Sequence, residues 1–195
     1  MHRKVAVLLY PGCVFFEVAL ALEILARRSS VAFYTPDGLA HQASNGATLQ
    51  VAGSYGDLER TQLDCVLVPG GDPASIIPGG LAAACLHAQR AGGALIGAIC
   101  AGALVLASAG LLRGVRATHN YTPEHASPEA VEFTQHFWEG SQYVRADLVS
   151  DRGIITAQPW AYAKFAAAIS EAVGALSAPQ AAALTASHAF SYDDA

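Results

Sequence analysis

A three-layer α/β/α sandwich around a mainly parallel sheet is the fold class that the sequence predicts, on three observations. Short apolar runs without polar alternation recur at residues 4–10 (KVAVLLY), 65–69 (CVLVP) and 95–99 (LIGAI). Runs of that length and kind read as strands covered on both faces. Segments of helical character, residues 16–28 and 81–91, lie between these runs. Glycine and proline punctuate nearly every junction. Strands that alternate with helices are connected by crossovers, which bring successive strands side by side and parallel.

In chain order, residues 4–10 form the first strand, ended by Pro11-Gly12. Residues 16–28 (FEVALALEILARR) form an amphipathic helix, with Arg27 and Arg28 placed in its last turn to suit the dipole. A second strand at 31–35 is closed by Pro36-Asp37-Gly38. Residues 41–54 are small and polar and read as irregular strands or a hairpin, followed by a helical turn at 57–59. The third core strand, 65–69, runs into Gly70-Gly71-Asp72-Pro73. The helix at 81–91 lies between glycine pairs, and the strand at 95–99 leads directly into another helix that ends near Gly110. Residues 116–119 read as a short strand and 123–138 as helix and loop. Residues 142–149 and 154–157, around Asp151-Arg152-Gly153, read as paired strands. A long alanine-rich helix covers 159–175, and Ser177-Ala178-Pro179 opens a last helix to about residue 186. Residues 187–195 form a tail.

Length and composition narrow the function. The 195 residues suggest one domain, 1–195, with a sizeable core. With 53% hydrophobic and 14% charged residues, the chain as a whole is not disordered. Its apolar runs are too short to span a bilayer, and no secretory leader is read at the start, so neither a membrane nor export is expected. A net charge of −5 without a Lys/Arg cluster argues against nucleic acid. Cys13, Cys65, Cys85 and Cys100 form no CxxC pair, so they read as free thiols in a reducing, cytoplasmic compartment. No metal site and no cofactor is expected.

The stretch that organises the chemistry is residues 94–109 (ALIGAICAGALVLASA). A buried strand passing through a tight turn into a helix forces the turn residue, Cys100, to face the first helical amides. Those amides and the positive helix end favour an anion, so the thiol is expected to ionise below its usual value of about 8.5. Gly97, Ala98, Ala101 and Gly102 leave room for so sharp an elbow. Glu17 begins the first helix. It either faces water at its own helix N-terminus or, buried and protonated, donates a hydrogen bond to the thiolate. Gly70 and Gly71 form a tight turn that could also offer an amide to an oxyanion, paired with the amide of Ala101. His119, at the end of a strand, qualifies as a base only if it lies within hydrogen-bond reach of Cys100. The other histidines have no comparable context, and His119 with His125 does not make a helical zinc pattern.

These motifs resemble the ThiJ/PfpI superfamily, which includes the parkinsonism-linked deglycase and shares the class I glutamine amidotransferase-like fold. The resemblance spans roughly residues 4–176. It is carried by VAVLLYPGCVFFE with Glu17, DCVLVPGGDP, AICAGALVLASAGLL with Cys100, VRATHNY with His119, and GIITAQPWAYAKFAAAISEAV. It implies a flavodoxin-like fold, a homodimer, and an easily oxidised elbow cysteine hydrogen-bonded to the glutamate. By matching position, Cys100 is nucleophile and redox centre, Glu17 its partner, Gly71 and Ala101 the oxyanion donors, and His119 the nearby histidine. Members with a Cys-His dyad carry histidine directly after the elbow cysteine, where this chain has Ala101, which weighs against a cysteine peptidase. Isonitrile hydratases carry Asp in place of Glu17 and Thr in place of Ala101, which weighs against that activity. Gln158 replaces the basic or small residue after the penultimate strand, and Trp160 and Tyr121 are expected to shape the pocket.

The function expected is a cysteine-dependent enzyme. Cys100 adds to a small electrophilic carbonyl or amide-like carbon, as in glyoxalase, deglycase or hydrolase chemistry, and Glu17 and His119 move protons. The alternative is a non-enzymatic oxidative-stress sensor or protective protein acting through oxidation of Cys100, or a dimer whose elbow binds ligand without turnover. The partner expected is a small-molecule substrate, with no nucleic acid and no membrane.

Overall fold

The computed structural model describes residues 2–188. Seven strands form one sheet in the order β3-β2-β1-β4-β5-β9-β8: β1 Arg3–Leu8, β2 Ser29–Thr35, β3 Gly53–Ser54, β4 Cys65–Val68, β5 Leu95–Ile99, β8 Leu148–Asp151 and β9 Ile154–Ala157. All neighbours run parallel except β8, which pairs antiparallel to β9. The central strands β4 and β9 are buried at every position, as continuous apolar runs require. Helices α1 (Phe16–Leu25) and α6 (Tyr162–Ala172) pack together on one face, with α7 (Ala178–Ser187) against α6. The other face carries α2 (Tyr55–Leu58), α3 (Ala83–Ala91) and α4 (Gly102–Ser108). The expected three-layer, flavodoxin-like sandwich is present.

Gly97 sets how closely one helical layer approaches. A Cβ there would stand 2.5 Å from Ile169 Cδ1 and 2.9 Å from Leu67 Cδ2, so its lack of a side chain seats α6 directly on β5.

Several elements are shorter than the sequence suggested. Helix α1 ends at Leu25, because Arg27 and Arg28 donate to Ile24 and Leu25 three residues back in a tightening turn. The two arginines therefore lie beyond the helix. Residues 41–54 contribute only an isolated Gln42–Thr48 bridge and β3. The strand expected at 116–119 reduces to β6 Arg116–Ala117, which pairs with β7 Gln142–Tyr143 in a separate two-stranded sheet. The segment 123–138 holds α5 (Pro128–Thr134) and a 3-10 turn. The helix expected from 159 opens as a 3-10 turn, Pro159–Ala161, before α6. From residue 189 the expected tail lies outside the described residues. Among the described residues no helix is long and apolar enough to cross a membrane.

Candidate active site

The site gathers at the carboxyl ends of β1, β4, β5 and β9, where parallel sheets leave a crevice. Cys100 follows β5 and precedes α4. Its φ of 56° is one of two positive values among non-glycine residues described, the other being Arg152 in the β8–β9 turn. A side chain in that region is strained by roughly 1–3 kcal/mol, and such residues persist where their surroundings fix them. The Cys100 amide donates to Ala157 O at 2.9 Å, locking the elbow to β9. Gly102 is required beneath it, since any Cβ there would collide with the carbonyl oxygen of Val68.

Glu17, in the first turn of α1, is 5% exposed. Its Oε2 accepts from Gly70 N at 2.8 Å. A Cβ on Gly70 would lie 2.5 Å from that Oε2 and 2.7 Å from Cys100 Sγ, so carboxyl and sulfur converge over a residue that can have no side chain. Gly70 was expected to offer an amide to an oxyanion. It gives that N–H to Glu17 instead, and the amides that reach the sulfur are those of Gly71 and Ala101. Gly71 has φ 123°, and a Cβ on it would meet Gly12 O at 2.6 Å.

The thiol differs from the sequence-based expectation. Burial first, and the neighbouring Glu17 charge second, push Cys100 up to about 12, while the Ala101 and Gly71 amides pull it down. The helix behind it has only seven residues, and its dipole is outweighed. Burial likewise raises the Glu17 carboxyl, against the opposing bonds from Gly70 and Cys100. Burial thus favours the protonated form of both groups, and the pair holds a proton between them to high pH.

His119 lies apart from this pair. Its ring stacks on Trp138 with centroids 3.8 Å apart, and its Nδ1 accepts from Tyr121 N at 3.2 Å. Among the described residues no hydrogen bond joins it to Cys100 or Glu17. Burial lowers its pKa to about 4, so it is neutral near pH 7. Tyr121 is closer to the chemistry: its phenol is raised to about 12 by burial and then by the charges of Cys100 and Asp72. Trp160 is half exposed, its Nε1 donating to Asp147 at 2.9 Å and its ring edge-on to His125, and none of these contacts is with the Glu17–Cys100 pair.

Tyr10 and Trp138 escaped the sequence reading, and Gln158 was read there only as a departure from the family pattern. The Tyr10 hydroxyl donates to Pro69 O at 2.9 Å and pins the corner before Gly70. Gln158 Nε2 donates to Thr118 Oγ1 at 2.9 Å and to His119 O at 3.0 Å, strapping the His119 segment to β9. Trp138 supplies the surface under His119. Each acts through a long-range contact with no local motif. Among the described residues no group of three His, Cys, Asp or Glu is placed to hold a metal ion. All four cysteines are free, and Cys13, Cys65 and Cys85 are buried.

The sequence profile of the DJ-1/PfpI family matches residues 3–172. Among solved structures, Drosophila melanogaster DJ-1beta is similar at 24% identity and a TM-score of 0.76, over 98% of this chain and all of that one. A DJ-1 superfamily protein from Agrobacterium tumefaciens is 26% identical with a TM-score of 0.77, over 97% and 100% of the two chains. An oxidised Toxoplasma gondii DJ-1 is 22% identical with a TM-score of 0.75, over 97% and 100%. No curated protein matches the chain at a significant level.

Proposed function

Because the chain belongs to the DJ-1/PfpI family, which includes both enzymes and stress-response proteins, we propose that it is a cysteine-dependent enzyme acting on small electrophilic carbonyls. The observation that carries this reading is the convergence of Glu17 Oε2 and Cys100 Sγ over Gly70, at a cysteine with positive φ. A shared proton gives the pair both a nucleophile and an acid: with the proton on Glu17, Cys100 is a thiolate. The thiolate adds to the aldehyde carbon of a 2-oxoaldehyde, and the carbonyl π pair moves onto oxygen. The Gly71 and Ala101 amides stabilise that oxyanion, and Glu17 gives it the proton, forming a hemithioacetal. The Glu17 carboxylate then takes the C1 hydrogen as a proton, the hydroxyl proton passes from the C1 oxygen to the C2 oxygen through the enediol, and Glu17 returns its proton at C2, which leaves the thioester carbonyl at C1. Water cleaves the resulting thioester, releasing a 2-hydroxy acid and the thiol. With an amide-like carbon the same groups perform hydrolysis. His119, neutral and without a hydrogen bond to the sulfur among the described residues, shapes the wall with Tyr121 rather than acting as the base. Reduced protein given methylglyoxal should form lactate, and Cys100→Ser should not. Equal product from the two proteins overturns the proposal.

A second reading is supported by the unequal burial of the thiols. Cys100 is half-buried, whereas Cys13, Cys65 and Cys85 are sealed, and burial raises the Cys85 thiol to about 12. Graded peroxide should therefore oxidise Cys100 first, through sulfenate to sulfinate beside Glu17. Mass spectrometry showing equal oxidation of all four would remove it. Both readings take the protein as a homodimer in the cytoplasm, where reducing conditions keep the thiols free.

A further inference from the structure

Tyr10 carries the one polar side-chain atom of the apolar run 5–10, and the residue is only 1% exposed. A phenol sealed from water has to find a partner. This hydroxyl finds Pro69 O, 2.9 Å away just past β4. Pro69 precedes Gly70, so that carbonyl and the Gly70 N–H belong to one peptide unit. The unit is trans, and its two polar ends point in opposite directions. On one side it accepts from Tyr10, and on the other it donates to Glu17 Oε2 at 2.8 Å. The carboxyl in turn converges with Cys100 Sγ over Gly70.

The next peptide unit repeats the arrangement. Gly70 O accepts from Val14 N at 2.8 Å, and the Gly71 N–H on its far side reaches the sulfur. The segment leading into α1 therefore grips both carbonyls of the turn, while both N–H groups serve the Glu17–Cys100 pair. Only the first grip is a side chain. A peptide that accepts a hydrogen bond at oxygen becomes a stronger donor at nitrogen, by about 10–30% per bond.

Little else competes for the carboxyl. Among the described residues no Lys, Arg or His forms an ion pair with Glu17. The titratable neighbours of the pair are Cys13, Tyr10 and Tyr121, and burial keeps each neutral near pH 7, with Tyr121 raised to about 12. On α6, packed against α1, Tyr162 lies on the Phe16 ring and Lys164 is bound to Asp147. Strand β2 turns Phe33 to Phe15, which sends Tyr34 to the opposite face, and Glu23 on α1 itself is exposed.

We propose that Tyr10 is a positioning residue for the Glu17–Cys100 pair: through the Pro69–Gly70 peptide its hydroxyl strengthens the N–H that binds the Glu17 carboxylate, and so holds the proton of the pair toward the sulfur. This role rests on Glu17 and Cys100 being a coupled pair, as the proposed function has them, and not on turnover.

Alkylation of the reduced full chain by iodoacetamide at pH 8 tests it, read by intact mass with Cys100→Ser as blank. Thiolate is the reacting form: it attacks the methylene carbon, and iodide leaves with the electron pair. Tyr10→Phe keeps the ring and removes the hydroxyl, so the proton shifts toward Glu17 and alkylation of Cys100 should accelerate by about two- to fivefold. Tyr55→Phe is the matched control. Its hydroxyl is likewise buried and donates to Leu9 O at 2.7 Å, a peptide unit that gives no hydrogen bond to Glu17. Both variants should lower the urea midpoint, and only Tyr10→Phe should change the alkylation rate. In a Glu17→Gln background, Tyr10→Phe should leave the rate where Glu17→Gln alone puts it. An unchanged rate in Tyr10→Phe, an equal rise in Tyr55→Phe, or an undiminished rise in the Glu17→Gln background overturns the proposal. If Tyr10→Phe does not fold, replacing Tyr10 by 3-fluorotyrosine keeps the hydroxyl and makes it a stronger donor. Alkylation should then slow, and an unchanged or faster rate overturns the proposal. A parent rate that Glu17→Gln leaves unaltered overturns the paired-site reading, and this proposal with it.

Discussion

Glu17 Oε2 and Cys100 Sγ meet over Gly70, within 2.5 and 2.7 Å of the point where a methyl group on that residue would stand. Gly70 also donates its N–H to the same Oε2, so the residue is both spacer and anchor. Gly70→Ala should therefore drive the carboxyl and the sulfur apart without disturbing a core strand. Overpacking of this kind costs about 1–3 kcal/mol. A displacement near 1 Å at the reacting groups can cost about 100-fold in rate. Methylglyoxal turnover should fall by that order while circular dichroism stays native. Unchanged turnover would mean that the pair is not the reacting unit.

Glu17→Gln separates the two roles of the carboxyl. Removing the charge lowers the Cys100 thiol relative to the parent, because that charge is the second cause of its upward shift. Alkylation by iodoacetamide at pH 9 should accelerate, since more of the sulfur is thiolate. Turnover should nevertheless drop by about 10²- to 10⁴-fold, because the amide cannot give and take the proton. Slower alkylation would show that the neutral acid's hydrogen bond to the thiolate outweighs the charge it carries when ionised.

The elbow was legible in the sequence because every requirement there is local. A buried strand, a thiol, and small residues on both sides are written consecutively from Leu95 to Gly102. Glu17 was legible as a candidate only, since its burial depends on Gly70, distant in the chain. The acidity of Cys100 was misjudged for the same reason: the helix end is local, whereas the desolvation and the opposing carboxylate are tertiary. The second sheet of β6 and β7 was not legible, because two-residue strands carry no periodicity. Nor was the stack of His119 on Trp138, where partners from different segments share only a surface.

Acid should destabilise the fold through His119. The ring is 6% exposed, and burial lowers its pKa from 6.5 to about 4. Between these values the unfolded chain binds a proton that the folded chain refuses, so the unfolded state gains as pH falls. The contribution is fully present above about 6.5 and is lost as pH drops to about 4. A shift of that size corresponds to about 3 kcal/mol. His119→Phe retains a flat ring against Trp138 and has no proton to gain. Urea midpoints measured from pH 7 to pH 4 should fall less steeply in the variant than in the parent. Parallel slopes would show that His119 is not buried as a neutral ring.

Gln158 should reveal how firmly the wall of the cleft is fixed. Its Nε2 bonds Thr118 Oγ1 and His119 O, and its own N–H donates to Asp147 O at 2.8 Å. The Thr118 N–H in turn donates to Thr156 Oγ1 at 2.9 Å, so the strap joins β9 to the segment bearing His119 and Tyr121. Gln158→Leu fills a similar volume but leaves the His119 carbonyl without this donor. A buried group stripped of its partner costs about 1–3 kcal/mol. The urea midpoint should drop by that amount with an unchanged m-value, and the emission of Trp138, whose indole lies on His119, should shift. Because Tyr121 is carried by the same segment, KM for methylglyoxal should rise more than kcat falls. A variant as stable as the parent, with both constants intact, would show that the segment is held by Thr118 and Thr156 alone.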